Sequence, residues 1–387
     1  MNEFHPTRRI LLGPGPSDVD PRVLAAMSEP LVGHLDPQFL KVMDDIQISL
    51  RSLFQTQNRL SIPVSGTGSA GMEAAFTNLI EGGDTVAVCI NGVFGERMAD
   101  LVTRCGGTPL RIDVEWGKSF DLDAIRGALK PKPPKLLAVV HAETSTGVLT
   151  PLSMLKEVLR DFPDTLFLVD CVTSLGGHPV GVDDHGVDFA YSGTQKCLSC
   201  PPGLAPITVS ERAVNVLRKR KSKVQSWYLD LSMVEKYWGE DRTYHHTAPI
   251  SMNYALREAL RLIEEEGLEK RWARHRQNHQ ALVAGVEAMG LQMLVRPENR
   301  LWSLNTIEIP AGIPDAKVRS SLLQDFGIEI GGGLGPLRGR IWRVGLMGYS
   351  SHRNNVLVFL NALEHILIKE GFKLKPGVAV EAASKCW

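Results

Sequence analysis

The chain has 387 residues, 43% apolar and 22% charged, the balance of a folded globular protein with room for two domains at roughly 150 residues each. Forty-three basic against 43 acidic side chains leave zero formal charge, so no broad basic field favours nucleic acid or an anionic membrane as a partner. The opening MNEFHPTRRI carries no apolar leader, no run approaches the ~20 residues that span a bilayer, and six cysteines are too few to scaffold so long a chain, which points to a reducing, cytoplasmic setting.

From about Leu60 to Val209, short runs rich in Val, Ile and Leu alternate with helical-length segments: TVAVCI, KLLAVVH, TLFLVD, DFAYSG and LAPITV. Such alternation predicts an α/β layer around a mainly parallel sheet. Runs that are apolar at every position suit strands covered by helices on both faces. PKPPK at 131–135 marks an exposed turn before a strand. Beyond Ser251 the pattern turns to long helices. Leu256, Leu260 and Ile263 share one face, and Leu268, Trp272, His275, His279, Leu282, Val286 and Met289 continue a packing stripe at helical spacing. His275 and His279 stand at i,i+4, but no carboxylate or cysteine nearby completes a metal set, so they read as packing or surface histidines. After Gly290 come a short strand (TIEI), a helix (AKVRSSLLQDF), two strands (IEIG and IWRVG) and a closing helix around Val356 to Ile368, the outline of a smaller α+β domain.

Four segments carry candidate chemistry. In SGTGSAGMEA at 65–74, Gly66, Gly68 and Gly71 fit the dinucleotide fingerprint, but the next strand runs into Asn91, Gly92 and Val93 where a ribose-holding acid should stand. What survives is a Gly-rich turn at a helix N-terminus, able to cradle a phosphate, with a flexible connecting turn as the alternative. TLFLVD ends in Asp170, placed where α/β folds hold ligands; a cap for the following turn reads equally well. In YSGTQKCLSCPPG, Lys196 follows closely behind a buried strand, where desolvation lowers an amine's pKa as imine chemistry requires. A surface lysine is the rival explanation. In RIWRVG, Arg343 shares a strand face with Ile341 and Gly345, which suggests a guanidinium aimed at a ligand carboxylate or else an exposed edge-strand arginine. His141-Ala-Glu143 and Cys197-x-x-Cys200 mimic pieces of a zinc deaminase. Lys196 stands where that signature has proline, so the cysteines read as incidental buried thiols, and no metal is expected.

Together these segments offer a phosphate cradle, a carboxylate for a ring cation, an imine-forming amine and a guanidinium for a substrate carboxylate. In these segments, and in LLGPGPS at 11–17, HAETSTGVL, YHHTAPI and GGGLGP, the chain resembles the class V aminotransferases, within them the serine–pyruvate/alanine–glyoxylate aminotransferase group. The resemblance implies fold type I: a large domain with a mainly parallel seven-stranded sheet, a smaller α+β C-terminal domain, and a homodimer with shared active sites. The expected division is an arm at 1–10, a large pyridoxal-phosphate domain at 11–266 and a small domain at 267–387. It further implies pyridoxal 5′-phosphate bound covalently by Lys196, which also shuttles the proton, with Asp170 on the pyridine nitrogen. Thr67, Gly68, Ser69 and Gln195 would hold the phosphate, joined by Tyr244 and Thr247 of the other subunit. Phe94 would stack on the ring, where many relatives have tryptophan, and Thr144 would touch the cofactor hydroxyl region. Arg343 would bind the substrate carboxylate, with Gly15, Thr144 and His34 lining the same pocket. The implied reaction is ping-pong amino transfer from a small donor, alanine or serine, to glyoxylate or pyruvate.

Three rivals differ in what they need. A cysteine desulfurase-like lyase shares the fold but needs a nucleophilic cysteine in the C-terminal part, where only Cys386 stands. A dehydrogenase would rest on a glycine fingerprint without its acid, and a non-catalytic ligand-binding protein has no need of Lys196. The final Ala-Ser-Lys-Cys-Trp gives no peroxisomal address.

Overall fold

The computed structural model describes residues 1, 3 and 5–387; positions 2 and 4 of the expected N-terminal arm lie outside the described residues. Seven strands form the main sheet: β1 (Leu60–Ser65), β2 (Thr85–Ile90), β3 (Thr108–Asp113), β4 (Leu136–Val140), β5 (Leu166–Asp170), β6 (Phe189–Tyr191) and β7 (Leu204–Val209). Their spatial order is β1-β7-β6-β5-β4-β2-β3. Every pairing is parallel except those of β7, which runs antiparallel to β1 and β6. The cause is local: the link from Ser192 to Gly203 contains no helix, and a parallel return needs a crossover.

The unbroken apolar runs are explained by two covered faces. In β2, Val86, Val88 and Ile90 enter one core with Phe76, Leu168 and Ile207, while Ala87 and Cys89 enter another with Val139, Phe167 and Val169. Edge strand β3, half-exposed along most of its length, has no such run and no clear sequence signal. A third core gathers Leu12, Leu282, Val286, Trp342, Val344, Phe359 and Leu363. It lies under a second sheet made by β8 (Leu304–Glu308), β9 (Gly331–Gly332) and β10 (Ile341–Gly345), with β10 in the middle.

The expected strand IEIG divides in two. Ile328–Glu329 pairs in parallel with Ile10–Leu11, whereas Gly331–Gly332 pairs with β10. The closing helix runs over Arg353–Lys369, and a further short helix, Val378–Ser384, packs beside it. Helix Leu268–Ala288 buries His275, His279, Leu282 and Val286 as its spacing predicts, as does Met289 at its C-cap, but Arg271 is buried there while Trp272 is only half so. Arg271 is neutralised by Glu266 and donates to the carbonyls of Gly176 and Cys197. His275 and His279 each have a partner, the Arg271 carbonyl and the Asn305 side chain.

Residues 10–17 form a strap that crosses from the second sheet to the first. Leu12 donates to the carbonyl of Glu329 and accepts from Gly345 N–H at 2.7 Å, while Ser17 N–H reaches the Gln195 carbonyl at 2.8 Å. A Cβ at Gly345 would overlap the Gly13 carbonyl oxygen. Gly345→Ala should therefore lower stability by about 2 kcal/mol, read as a reduced urea midpoint. A midpoint equal to the wild type would show that the strap is not held there.

Candidate active site

The functional segments meet at one edge of the main sheet, at the carboxyl ends of the parallel strands, where loops can place side chains without disturbing the ladder. Asp170 is the last residue of β5 and is 2% exposed. Its Oδ1 accepts from Val172 N–H at 2.9 Å and its Oδ2 from the Tyr191 hydroxyl at 2.8 Å. Burial pushes this carboxyl up to about 7; the two donors oppose the shift, and the anion of Glu143 adds to it.

Lys196 lies in the loop after β6, and its ammonium donates to the Pro14 carbonyl. Burial pushes its pKa down to about 8; Arg343 acts in the same direction, and Asp170 opposes it. The loop is held from both sides. Ser17 Oγ donates to the Lys196 carbonyl at 2.8 Å, Arg271 to the Cys197 carbonyl, and Tyr349 N–H to Ser199 Oγ. Gly15 sits against the amine at φ +108°, and a Cβ there would stand 2.6 Å from Nζ. Only glycine suits that position.

The cradle forms at the start of helix Gly68–Leu79, whose first turn has no side-chain cap from Thr67. The loop at Gly193 packs on Gly68, and the buried Gln195 Oε1 has no partner among the described residues. Ser69 Oγ accepts from Arg97, which also lies 5.0 Å over the Phe94 ring. Phe94 is fixed through its backbone N–H, which donates to Glu143 Oε2.

Arg343 is 7% exposed on the middle strand of the second sheet, which excludes the edge-strand alternative. Its Nε donates to Gly332 O at 2.7 Å and Nη1 to Thr144 O at 3.2 Å; among the described residues Nη2 has no acceptor. The Thr144 hydroxyl pairs with that of Thr173 at 2.6 Å.

Tyr244 is 56% exposed and Thr247 is exposed. The His34 ring lies 5.1 Å from that of Tyr244, and the His34 carbonyl accepts from Tyr237. No hydrogen bond among the described residues joins these three to Lys196, Asp170 or Arg343 of the same chain. His245 and His246 bond to each other, and His246 reaches Ser65 Oγ at 2.7 Å, which fixes the segment that displays Tyr244 and Thr247. His141 bonds Ser174, Cys197 donates to the Thr173 carbonyl and Cys200 is buried among apolar side chains, whereas Glu143 of the same motif accepts from Ser145 and Phe94. Cys386 packs in the third core with Trp387.

Glu143, Tyr191 and Ser17 were not singled out as site residues by sequence reasoning. Each is polar and buried, and the only signal was a polar residue among apolar or small neighbours.

An uncapped helix N-terminus, with the Gln195 amide nitrogen free to donate beside it, suits a phosphate, and the amine and carboxylate suit an aldehyde-bearing cationic ring. Fold and relatives together define a pyridoxal-phosphate-dependent transferase of fold type I. The family profile "Aminotransferase class-V" matches residues 10–338, and the chain belongs to that family. Among curated proteins it is 44% identical to (S)-ureidoglycine–glyoxylate transaminase of Bacillus subtilis, covering 97% of this chain and 94% of the relative. It is 41% identical to the alanine–glyoxylate aminotransferase of Mus musculus, covering 93% and 87%. Among solved structures, alanine–glyoxylate aminotransferase from Nostoc sp. superposes with a TM-score of 0.93 at 50% identity, covering 95% of this chain and 97% of that one. A cysteine desulfurase from Thermococcus onnurineus, at 16% identity and TM-score 0.73, shares the fold alone. The protein is thus an aminotransferase that uses pyridoxal phosphate. No helix among the described residues is long and apolar enough to cross a membrane.

The lowered amine pKa has a kinetic signature. If Lys196 is the amine that captures pyridoxal phosphate, capture by cofactor-free protein should accelerate as pH rises and level off above about 8, because only a neutral amine is a nucleophile. Stopped-flow absorbance across pH checks this; a rate still climbing beyond pH 10 would contradict it.

Proposed function

We propose that this aminotransferase moves an amino group from a small amino acid, alanine or serine, to a small 2-oxo acid, glyoxylate or pyruvate, in two alternating half-reactions. The observation that carries the reading is that Asp170 and Arg343 lie near enough to Lys196 for their charges to act on its amine, beside a helix N-terminus ready for a phosphate at Gly68. Glyoxylate stands in the names of both kinds of relative, which supports it as acceptor; the donors in those names differ.

When bound, pyridoxal phosphate supplies an aldehyde that receives the amino group and a ring that accepts electron density. Lys196 holds that aldehyde and then moves the proton at the substrate Cα, a task for which an amine titrating near 8 is available in both forms. Asp170 would hold the ring nitrogen, and Phe94 would stack on the ring. Thr67, Gly68, Ser69 and Gln195 would receive the phosphate, and Thr144 would serve the cofactor hydroxyl. Arg343, with Nη2 uncommitted, takes the substrate carboxylate, and Gly15 leaves room beside the amine.

The working unit in this reading is a homodimer. Tyr244 and Thr247 of the partner subunit complete the phosphate site, with His34 beside Tyr244, a reading supported by the exposure of both residues on a braced segment. We divide the chain at Gly267, between the two long helices, into a large cofactor domain and a small C-terminal domain, with residues 1–10 as an arm. Six unpaired cysteines fit a reducing, cytoplasmic compartment. Zero net charge gives no reason to invoke nucleic acid or membrane.

Lys196→Ala should abolish the visible chromophore and turnover; normal steady-state turnover in that variant would sink the assignment. Arg343→Ala should raise KM for donor and acceptor by about 100-fold or more, since a carboxylate loses a paired cation. Half-reaction rates over alanine, serine and ureidoglycine decide the donor. Mixing inactive Lys196→Ala chains with Tyr244→Ala/Thr247→Ala chains should restore activity, because one site of each hybrid dimer is intact. No restoration on subunit exchange would refute shared sites.

A further inference from the structure

Asp170 does not face the cofactor site unaided. The register of β5 and β6 sets it directly opposite Tyr191, and residues paired across neighbouring parallel strands project to the same side of a sheet. The Tyr191 hydroxyl therefore reaches Asp170 Oδ2 at 2.8 Å while Val172 N–H holds Oδ1, so one carboxylate orientation satisfies both oxygens. Tyr191 is fully buried in the main core. Its Cβ is wedged against Gly71 of the cradle helix, where an added Cβ would come within 3.1 Å. The helix that presents the phosphate cradle thus packs closely on the residue that bonds Asp170.

We propose that Tyr191 is a positioning residue for the cofactor ring: its hydroxyl locks the Asp170 carboxylate towards the ring nitrogen and favours the ionised form that keeps that nitrogen protonated. The proposal rests on the assignment of Asp170 to the ring nitrogen. Of the groups facing this carboxylate, Lys196 from the loop after β6 and the donors Val172 and Tyr191 favour the anion. Burial and the Glu143 anion disfavour it, and the Cys171 thiol beside it is held neutral by burial. Tyr191 itself stays protonated, its ionisation pushed well above the ordinary range by burial and the adjacent carboxylate, so it can only donate here. A buried tyrosine needs some acceptor; what separates positioning from mere satisfaction is whether the ring nitrogen responds when the hydroxyl is removed.

The test uses holoenzyme loaded with pyridoxal phosphate labelled with ¹⁵N in the ring, comparing wild type, Tyr191→Phe and Asp170→Asn. In Tyr191→Phe the ring ¹⁵N resonance should move towards the unprotonated value, part of the way to that of Asp170→Asn. The rate of the donor half-reaction should fall roughly tenfold with the donor KM within about twofold, as expected for loss of a hydrogen bond to a charged group away from the substrate. A Tyr191→Phe resonance and rate equal to wild type, with Asp170→Asn impaired, would overturn the proposal alone. Normal behaviour of Asp170→Asn would instead remove the ring-nitrogen assignment beneath it. Should Tyr191→Phe not fold, ¹³Cζ-tyrosine spectra of wild type and Asp170→Asn read the same contact. A Tyr191 resonance that does not move between them overturns the proposal.

Discussion

The structure depends on the cost of keeping ions out of water. Lys196, Asp170, Glu143 and Arg343 are buried close enough for their charges to act on one another, and desolvation is the largest influence on the pKa of each. An isolated buried ion is penalised by several kcal/mol, so none of these groups is tolerable alone. Each is instead given hydrogen-bond partners by a different piece of chain: Pro14 for the amine, Val172 and Tyr191 for Asp170, Ser145 and Phe94 for Glu143, Gly332 and Thr144 for Arg343. The partners leave the charges partly compensated, and in the proposed reading a cationic ring and an anionic substrate would complete the set.

That requirement ties the two sheets together. Arg343 belongs to the second sheet, yet one of its donors is used on the carbonyl of Thr144 beyond β4. Arg271 and Arg274 share Glu266 and divide their remaining bonds among the Gly176 carbonyl, the lysine loop and residues 348–351. His275 accepts from Gly348 N–H on the same seam. The orientation of the amine relative to the guanidinium is thus set by backbone carbonyls, whose geometry is stiffer than that of side chains.

The parts legible in the sequence are those in which chemistry and pattern coincide. Uninterrupted apolar runs identified β2, β4, β5, β6 and β7, and residues at their ends gave Asp170 and Lys196. The glycine turn gave the cradle, and alternation in β10 gave the inward face of Arg343. What escaped shares one cause: a residue whose meaning lies in a partner far along the chain. Tyr191 and Glu143 look like ordinary members of their segments until the strand register brings Asp170 to one and helix Val93–Arg104 to the other. Arg271 was invisible because the carbonyls that accept from it carry no sequence signature. Strand β3 escaped because an edge needs apolar cover on fewer positions.

The strap at residues 10–17 makes an early stretch depend on partners made more than 300 residues later. Arg9 reaches the Leu323 carbonyl across 314 residues, and Leu12 waits for Gly345. Closing so long a loop is entropically costly and slow relative to local sheet and helix formation. During synthesis the main sheet would form with Lys196 lacking Pro14 above it and Arg343 beside it. The surroundings of the Lys196 amine are complete only once the later segment has docked, so in the proposed reading a nascent chain would carry the lysine before the groups that give it selectivity.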